Sequence, residues 1–153
     1  FRAGNRNQPD NLRNGEQMNI ITLWQPWATL IQLRMKTIET RMHNYFKMLK
    51  GQTIGIHAGG KWDDEWEELA GPYMNAVEID TIQRMHSKGR IPFKSIIAVA
   101  FVDDTYPLNS VHSKKALIDC SAGDRYGLIL TNIRALDPFI RTNGKQGIWK
   151  YEI

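Results

Sequence analysis

The sequence predicts a single α+β domain built on a small, curved, mixed sheet or barrel, and three observations carry that expectation. Strand-like segments outnumber helical ones and do not alternate with them regularly, which argues against a doubly wound parallel fold. The segment SIIAVAFVD (95–103) is apolar almost throughout, as expected of a strand covered on both faces. The chain has 153 residues, 42% hydrophobic and 24% charged, which is the size and balance of one packed core. These proportions exclude a chain disordered throughout and a collagen-like or coiled fibre. No uninterrupted run of about 18 apolar residues exists, so no membrane-spanning helix is expected. Cys120 is the only cysteine, so no internal disulfide can form and a cytoplasmic, reducing location is the expectation.

Residues 1–17 are rich in Asn, Gln, Gly and Arg and have almost nothing to bury, so they read as a flexible leader, either native or vector-derived. The domain proper is expected at 18–153. Ile20, Ile21, Leu23 and Trp24 make a short apolar strand, and Pro26 suits the first turn of a helix, where its missing amide hydrogen has no partner to lose. Trp27, Leu30 and Ile31 form that helix's inner face, and the helix should stop near Arg34. KTIETR (36–41) then reads as a strand, as does TIGIHA (53–58). WDDEWEEL (62–69) puts Trp62, Trp66 and Leu69 on one helical face, and Met74, Val77, Ile82 and Met85 repeat helical spacing after Gly71-Pro72. SIIAVAFVD should lie at the centre of the sheet. YGLILTNI (126–133) is a further strand, and Asn143-Gly144 before GIWKYEI signals a closing hairpin.

Twenty Lys and Arg against sixteen Asp and Glu give a net charge of +4, a mild excess that favours phosphate-bearing partners without demanding them. The most informative segment is KTIETR. Strand alternation puts Glu39 and Arg41 on one face with Thr37, and Ile38 on the other, toward the core. Lys36 sits at the helix-to-strand junction, where a turn can swing its ammonium toward Glu39 and Arg41. A guanidinium can grip a phosphate or carbonyl edge, a carboxylate can accept from a base amino group, and a partly buried lysine can serve as a base or a point charge. The bland alternative is ordinary cross-strand ion pairing on a solvated face.

Other segments carry weaker signals. Gln25 can read a base edge or simply help form its turn, while Trp27 fits the core stripe. Gly59-Gly60-Lys61 precedes a helix as a phosphate loop would, yet GxxxxGK[ST] is absent and Asp63, Asp64 and Glu65 would repel an anion. Arg141, Lys145 and Gln146 cluster around Asn143-Gly144 as a basic tip able to touch a nucleic-acid backbone, or as a plain polar turn. The four histidines and Cys120 show no metal-ligand spacing, so neither a metal nor another cofactor is expected. Cys120 has no sequence-local base and reads as a small packed thiol.

LWQPWATLIQLRMKTIETR resembles the opening of ASCH domains, in which a Gln-Pro-Trp turn leads a helix into a Lys-x-x-Glu-x-Arg strand. The order TIGIHAGGKW, SIIAVAFVDD, YGLILTNIRAL and GKQGIWKYEI extends the likeness along nearly the whole chain from Met18. The resemblance implies a PUA-like small mixed β-barrel with flanking helices, and a charged cleft that meets RNA or a modified nucleoside. It places TIGIHA beside the motif strand, so that His57 and Lys61 project toward the cleft, although His57 also suits a structural role. Some ASCH relatives are amidohydrolases that deacetylate N(4)-acetylcytidine with a Lys, a Thr and a Glu, and others are reported to cleave RNA. Lys36 matches that lysine, but Glu39 stands where the threonine would be, and no counterpart of the distal glutamate is evident. Lys36 and Glu39 are therefore candidate catalytic residues with Glu39 as a general base. Gln25, Thr37, Arg41, His57, Lys61, Arg141, Lys145 and Gln146 are candidate binding residues. A module that binds only protein is the remaining alternative.

Overall fold

A computed structural model describes residues 16–152, and strand pairing is already present at Gln17; residues 1–15 of the expected leader lie outside the described residues. In chain order the elements are β1 (Gln17–Gln25), α1 (Trp27–Gln32), β2 (Ile38–Arg41), β3 (Thr53–Trp62), α2 (Trp66–Ala70), α3 (Ala76–Ser87), β4 (Ser95–Pro107), α4 (Ser113–Ala116), β5 (Tyr126–Arg141) and β6 (Ile148–Glu152). The strands form one sheet in the order β2-β5-β4-β3-β1-β6. β1 runs parallel to β3, and the other neighbouring pairs are antiparallel. This is the expected mixed α+β class, with the apolar β4 inside the sheet.

The sheet is not closed into the expected barrel, because β2 and β6 remain its two edges. β6 pairs with β1 only from Gln17 to Ile21. Beyond that point the Arg41 side chain of β2 reaches across, its Nη2 donating to the Thr22 carbonyl at 3.5 Å. A guanidinium thus spans the seam that a backbone ladder would have to close. β2 is also separated from β3 by β5 and β4, so TIGIHA does not lie beside the motif strand.

The hairpin expected at Asn143-Gly144 is likewise corrected. β6 pairs with β1 rather than with β5, so segment 142–147 carries the chain across the seam instead of turning it back. Gly147 takes the left-handed conformation (φ 71°), whereas a tight Asn-Gly hairpin needs positive φ at both central residues. The helix expected from Trp62 begins only at Trp66, because Trp62 is still part of β3.

Three register shifts between β4 and β5 bend this longest strand pair, as bulges do. The bend lets β4 bury both faces. Ile97, Ala98, Ala100 and Val102 join Ile21, Leu23, Ile54 and Ile56 on one side, while Ile96 and Val99 join Met18, Ile20, Leu136 and Trp149 on the other. Helix α1 links two layers, with Ala28 and Ile31 in the first cluster and Leu30 packed with Trp66, Ala70 and Ile82 of α2 and α3.

Packing between β1 and β3 is closest at Gly55, where an added Cβ would lie 2.3 Å from Ile20 Cδ1. Ile20 is fully buried and has little room to yield. Gly55→Ala should therefore destabilise the fold by about 1–3 kcal/mol through overpacking, read as a lower denaturant midpoint. Adding Ile20→Val, which removes that Cδ1, should recover part of the loss. A midpoint unchanged by Gly55→Ala would contradict this account of the packing.

Candidate functional site

Helix α1 ends in a tight turn that points the KTIETR motif inward. Arg34 takes φ 62°, and the amides of Met35 and Lys36 both donate to the Leu30 carbonyl. The Thr37 backbone then bonds to Lys115 O and Leu130 N, so the chain is anchored on both sides just before β2 starts. The turn drives Lys36 into the protein, where it is 2% exposed. Its Nζ donates a short hydrogen bond to Ala116 O, lies 3.8 Å from Glu39 Oε1 and faces the Trp27 ring at 5.3 Å.

Burial lowers the Lys36 amine from its usual 10.5 to about 8, and the Glu39 carboxylate only partly opposes that loss. Glu39 is itself buried, with its other oxygen 3.2 Å from Arg41 Nη2. The Arg41 guanidinium stacks 4.8 Å above the Phe46 ring, and its Nε is buried with no acceptor among the described residues. Amine, carboxylate and guanidinium thus meet along one line at the floor of a cleft of about 930 Å³. Among the described residues the cleft is lined by five cations (Lys36, Arg41, Lys61, Lys94 and Lys145) and two carboxylates (Glu39 and Asp63). Both Asp63 oxygens are engaged, one by the Trp27 indole N–H at 2.8 Å and the other by the Glu65 amide at 2.9 Å.

The opposite wall is segment 142–147, held in place through His57. The order of this hydrogen-bond chain follows from its two ends, since an indole N–H can only donate and a carbonyl can only accept. Trp149 Nε1 donates to Thr22 Oγ1 at 3.0 Å, and Thr22 Oγ1 in turn donates to His57 Nδ1 at 3.2 Å. His57 Nε2 then donates to Thr142 O at 2.7 Å. Every member is satisfied with a neutral imidazole, and burial holds the His57 pKa below its usual 6.5, in agreement. Gly144 closes over the ring so tightly that a Cβ there would lie 2.6 Å from His57 Nδ1.

Of the residues singled out from sequence, Lys36, Glu39, Arg41, His57, Lys61, Lys145 and Gln146 line the cleft. Three do not. Gln25 is fully buried and bonded within the protein, accepting from the Thr29 amide and donating to Thr29 Oγ1 and Pro92 O. Thr37 is occupied through its backbone, and Arg141 is an exposed residue at the end of β5, opposite Ser95. Conversely, the cleft includes Trp24, Thr40, His43, Tyr45 and Lys94, which sequence reasoning did not single out. Strand parity offered a signal for Trp24, because it shares a face with Thr22 and opposes the buried Leu23. Tyr45 is 74% exposed and stacks on His43 at 4.4 Å. Cys120 is buried, and burial raises its thiol pKa. Among the described residues no group of three or more His, Cys, Asp or Glu is arranged to hold a metal ion, and no helix is long and apolar enough to cross a membrane.

The sequence matches no protein-family model and no curated protein. Its fold does have solved counterparts. The ASCH protein of Zymomonas mobilis matches at a TM-score of 0.52, and a serine-to-alanine variant of it at 0.54. Each match covers 89% of this chain and 87% of the other, at 14% identity. The likeness is one of fold.

The depressed Lys36 pKa makes stability depend on pH in a definite sense. Between about pH 8 and 10.5 the unfolded chain holds a proton on this amine that the folded chain has released. Stability therefore rises with pH across that window. Wild type should gain on Lys36→Met by up to about 3 kcal/mol between pH 7.5 and 10, measured by urea unfolding of both proteins at each pH. A stability difference between the two that stays constant with pH would mean that Lys36 keeps its proton in the fold.

Proposed function

On the premise of the ASCH fold, we propose that the cleft binds RNA or a modified nucleoside, with Lys36, Glu39 and Arg41 contacting the ligand at its floor. The observation that carries this reading is the convergence of those three groups in a cleft holding five cations against two carboxylates. An excess of positive charge in a concave site favours an anionic ligand, and the partly exposed Arg41 guanidinium offers its charge to a phosphate or carbonyl oxygen. Only a few phosphates fit such a site. Affinity for RNA should fall with salt with a log-log slope matching roughly two to four contacts. Arg41→Glu combined with Lys145→Glu should abolish most of the binding. Retention of a panel of RNAs and nucleosides at low salt tests the proposal, and no binding of any of them would overturn it.

Hydrolysis is a second reading, favoured by the buried lysine with a pKa lowered to about 8 beside a carboxylate. In amide hydrolysis Glu39 takes a proton from water as the water oxygen bonds to the acyl carbon, and Lys36 or Arg41 stabilises the developing oxyanion. The carbon–nitrogen bond then breaks, and the proton passes from Glu39 to the leaving amine. Glu39→Gln keeps the shape but removes the base, so turnover of N(4)-acetylcytidine should fall about a hundredfold or more with ligand retention largely kept. Chromatography of products from wild type, Lys36→Ala and Glu39→Gln decides it. No product from wild type leaves a binding domain, and equal turnover by Glu39→Gln removes Glu39 as the base.

A further inference from the structure

We infer that Trp24 and Lys61 form a second subsite at the mouth of the cleft, which stacks a neighbouring base and holds the linking phosphate of single-stranded RNA. This inference rests on the nucleic-acid reading of the floor and deepens it, since it selects an oligonucleotide over a free nucleoside.

The local backbone turns Trp24 outward. Leu23 pairs with Ala58 and Gln25 with Trp62, so three residues of β3, Gly59 to Lys61, stand opposite the single Trp24. The extra residues bulge β3, while alternation along β1 turns Trp24 to the face opposite its two neighbours. Leu23 and Gln25 on either side are buried, whereas Trp24 is 50% exposed although it lines the cleft. Gly59 and Gly60 put no side chain beside the indole. The next residue, Lys61, sets its Nζ 5.1 Å from the ring centroid.

The two ends of the cleft suit different parts of a ligand. The buried floor presents directional groups that read the edge of a base, whereas a half-exposed indole reads only a face and accepts any base. That ammonium lies over one face of the indole, so a stacked base takes the other face, and the exposed, flexible Lys61 reaches the phosphate beside it. The cleft's volume of about 930 Å³ lies near the top of the range for small-molecule sites, which leaves room for more than one nucleoside.

Calorimetric titration with a mixed-sequence single-stranded RNA pentamer, and separately with free nucleosides including N(4)-acetylcytidine, tests the subsite. The pentamer should bind more tightly than any nucleoside. Trp24→Ala should weaken pentamer binding by about 5- to 150-fold, the loss of one stacked base, while nucleoside binding changes far less. Trp24→Tyr should restore most of the affinity, and Lys61→Ala should lower the salt slope by about one. An unchanged melting temperature for Trp24→Ala separates lost stacking from lost folding. Pentamer binding that survives Trp24→Ala would overturn the subsite and leave the floor's role standing. Equal weakening of nucleoside and pentamer would place Trp24 against the floor ligand and also overturn it. If neither probe binds wild type, the floor reading and the subsite fall together.

Discussion

The pairing of β6 with β1 stops at Ile21, and the cleft opens where it stops. Thr22 to Gln25 lie beyond the reach of β6, so this part of β1 presents an edge that no sixth strand covers. An open edge is normally a liability, and proteins manage it with charge or by covering it. Here Arg41 meets the Thr22 carbonyl, and segment 142–147 lies alongside. The same threonine takes part in both arrangements, because its hydroxyl joins Trp149 to His57 and, through His57, to Thr142. One residue at the end of a strand pairing thus fixes both walls of the cleft.

Electrostatics at the floor work against stability. A lysine lowered to about 8 despite a carboxylate 3.8 Å away shows desolvation outweighing attraction. At neutral pH that imbalance costs about 3 kcal/mol, a large fraction of the net stability of an ordinary domain. Buried ion pairs often fail to repay their desolvation, so the pairing of Lys36 with Glu39 is weak as an explanation of the fold's stability. Among the described residues the cleft's cations exceed its carboxylates by three.

Much of this arrangement was legible in the sequence because it is local. The central strand follows from an unbroken apolar run, α1 from Pro26 and the spacing of Trp27, Leu30 and Ile31, and β2 from β-branched alternation. The meeting of Lys36, Glu39 and Arg41 follows from strand parity and one turn, both set by residues within a few positions of each other. The ASCH resemblance on those residues agrees with the fold of the solved counterparts.

Tertiary structure decided what depends on distant partners. Asn143-Gly144 carries a hairpin signal, but turn chemistry states only where a chain can bend, and β6 covers β1 instead of returning to β5. Closure of the barrel could not be read either, because it turns on how far one terminal strand pairs. Gln25 has the polar side chain of a ligand-binding residue, yet Thr29 and Pro92 use its hydrogen-bonding groups. Trp24 has the apolar side chain of a core residue, yet it stands half exposed on the face opposite Leu23 and lines the cleft. In each case the sequence determined the chemistry a side chain could offer and the strand or helix that carries it. Only the tertiary structure decided whether that chemistry met solvent, ligand or protein, because burial is a property of the partners a segment finds.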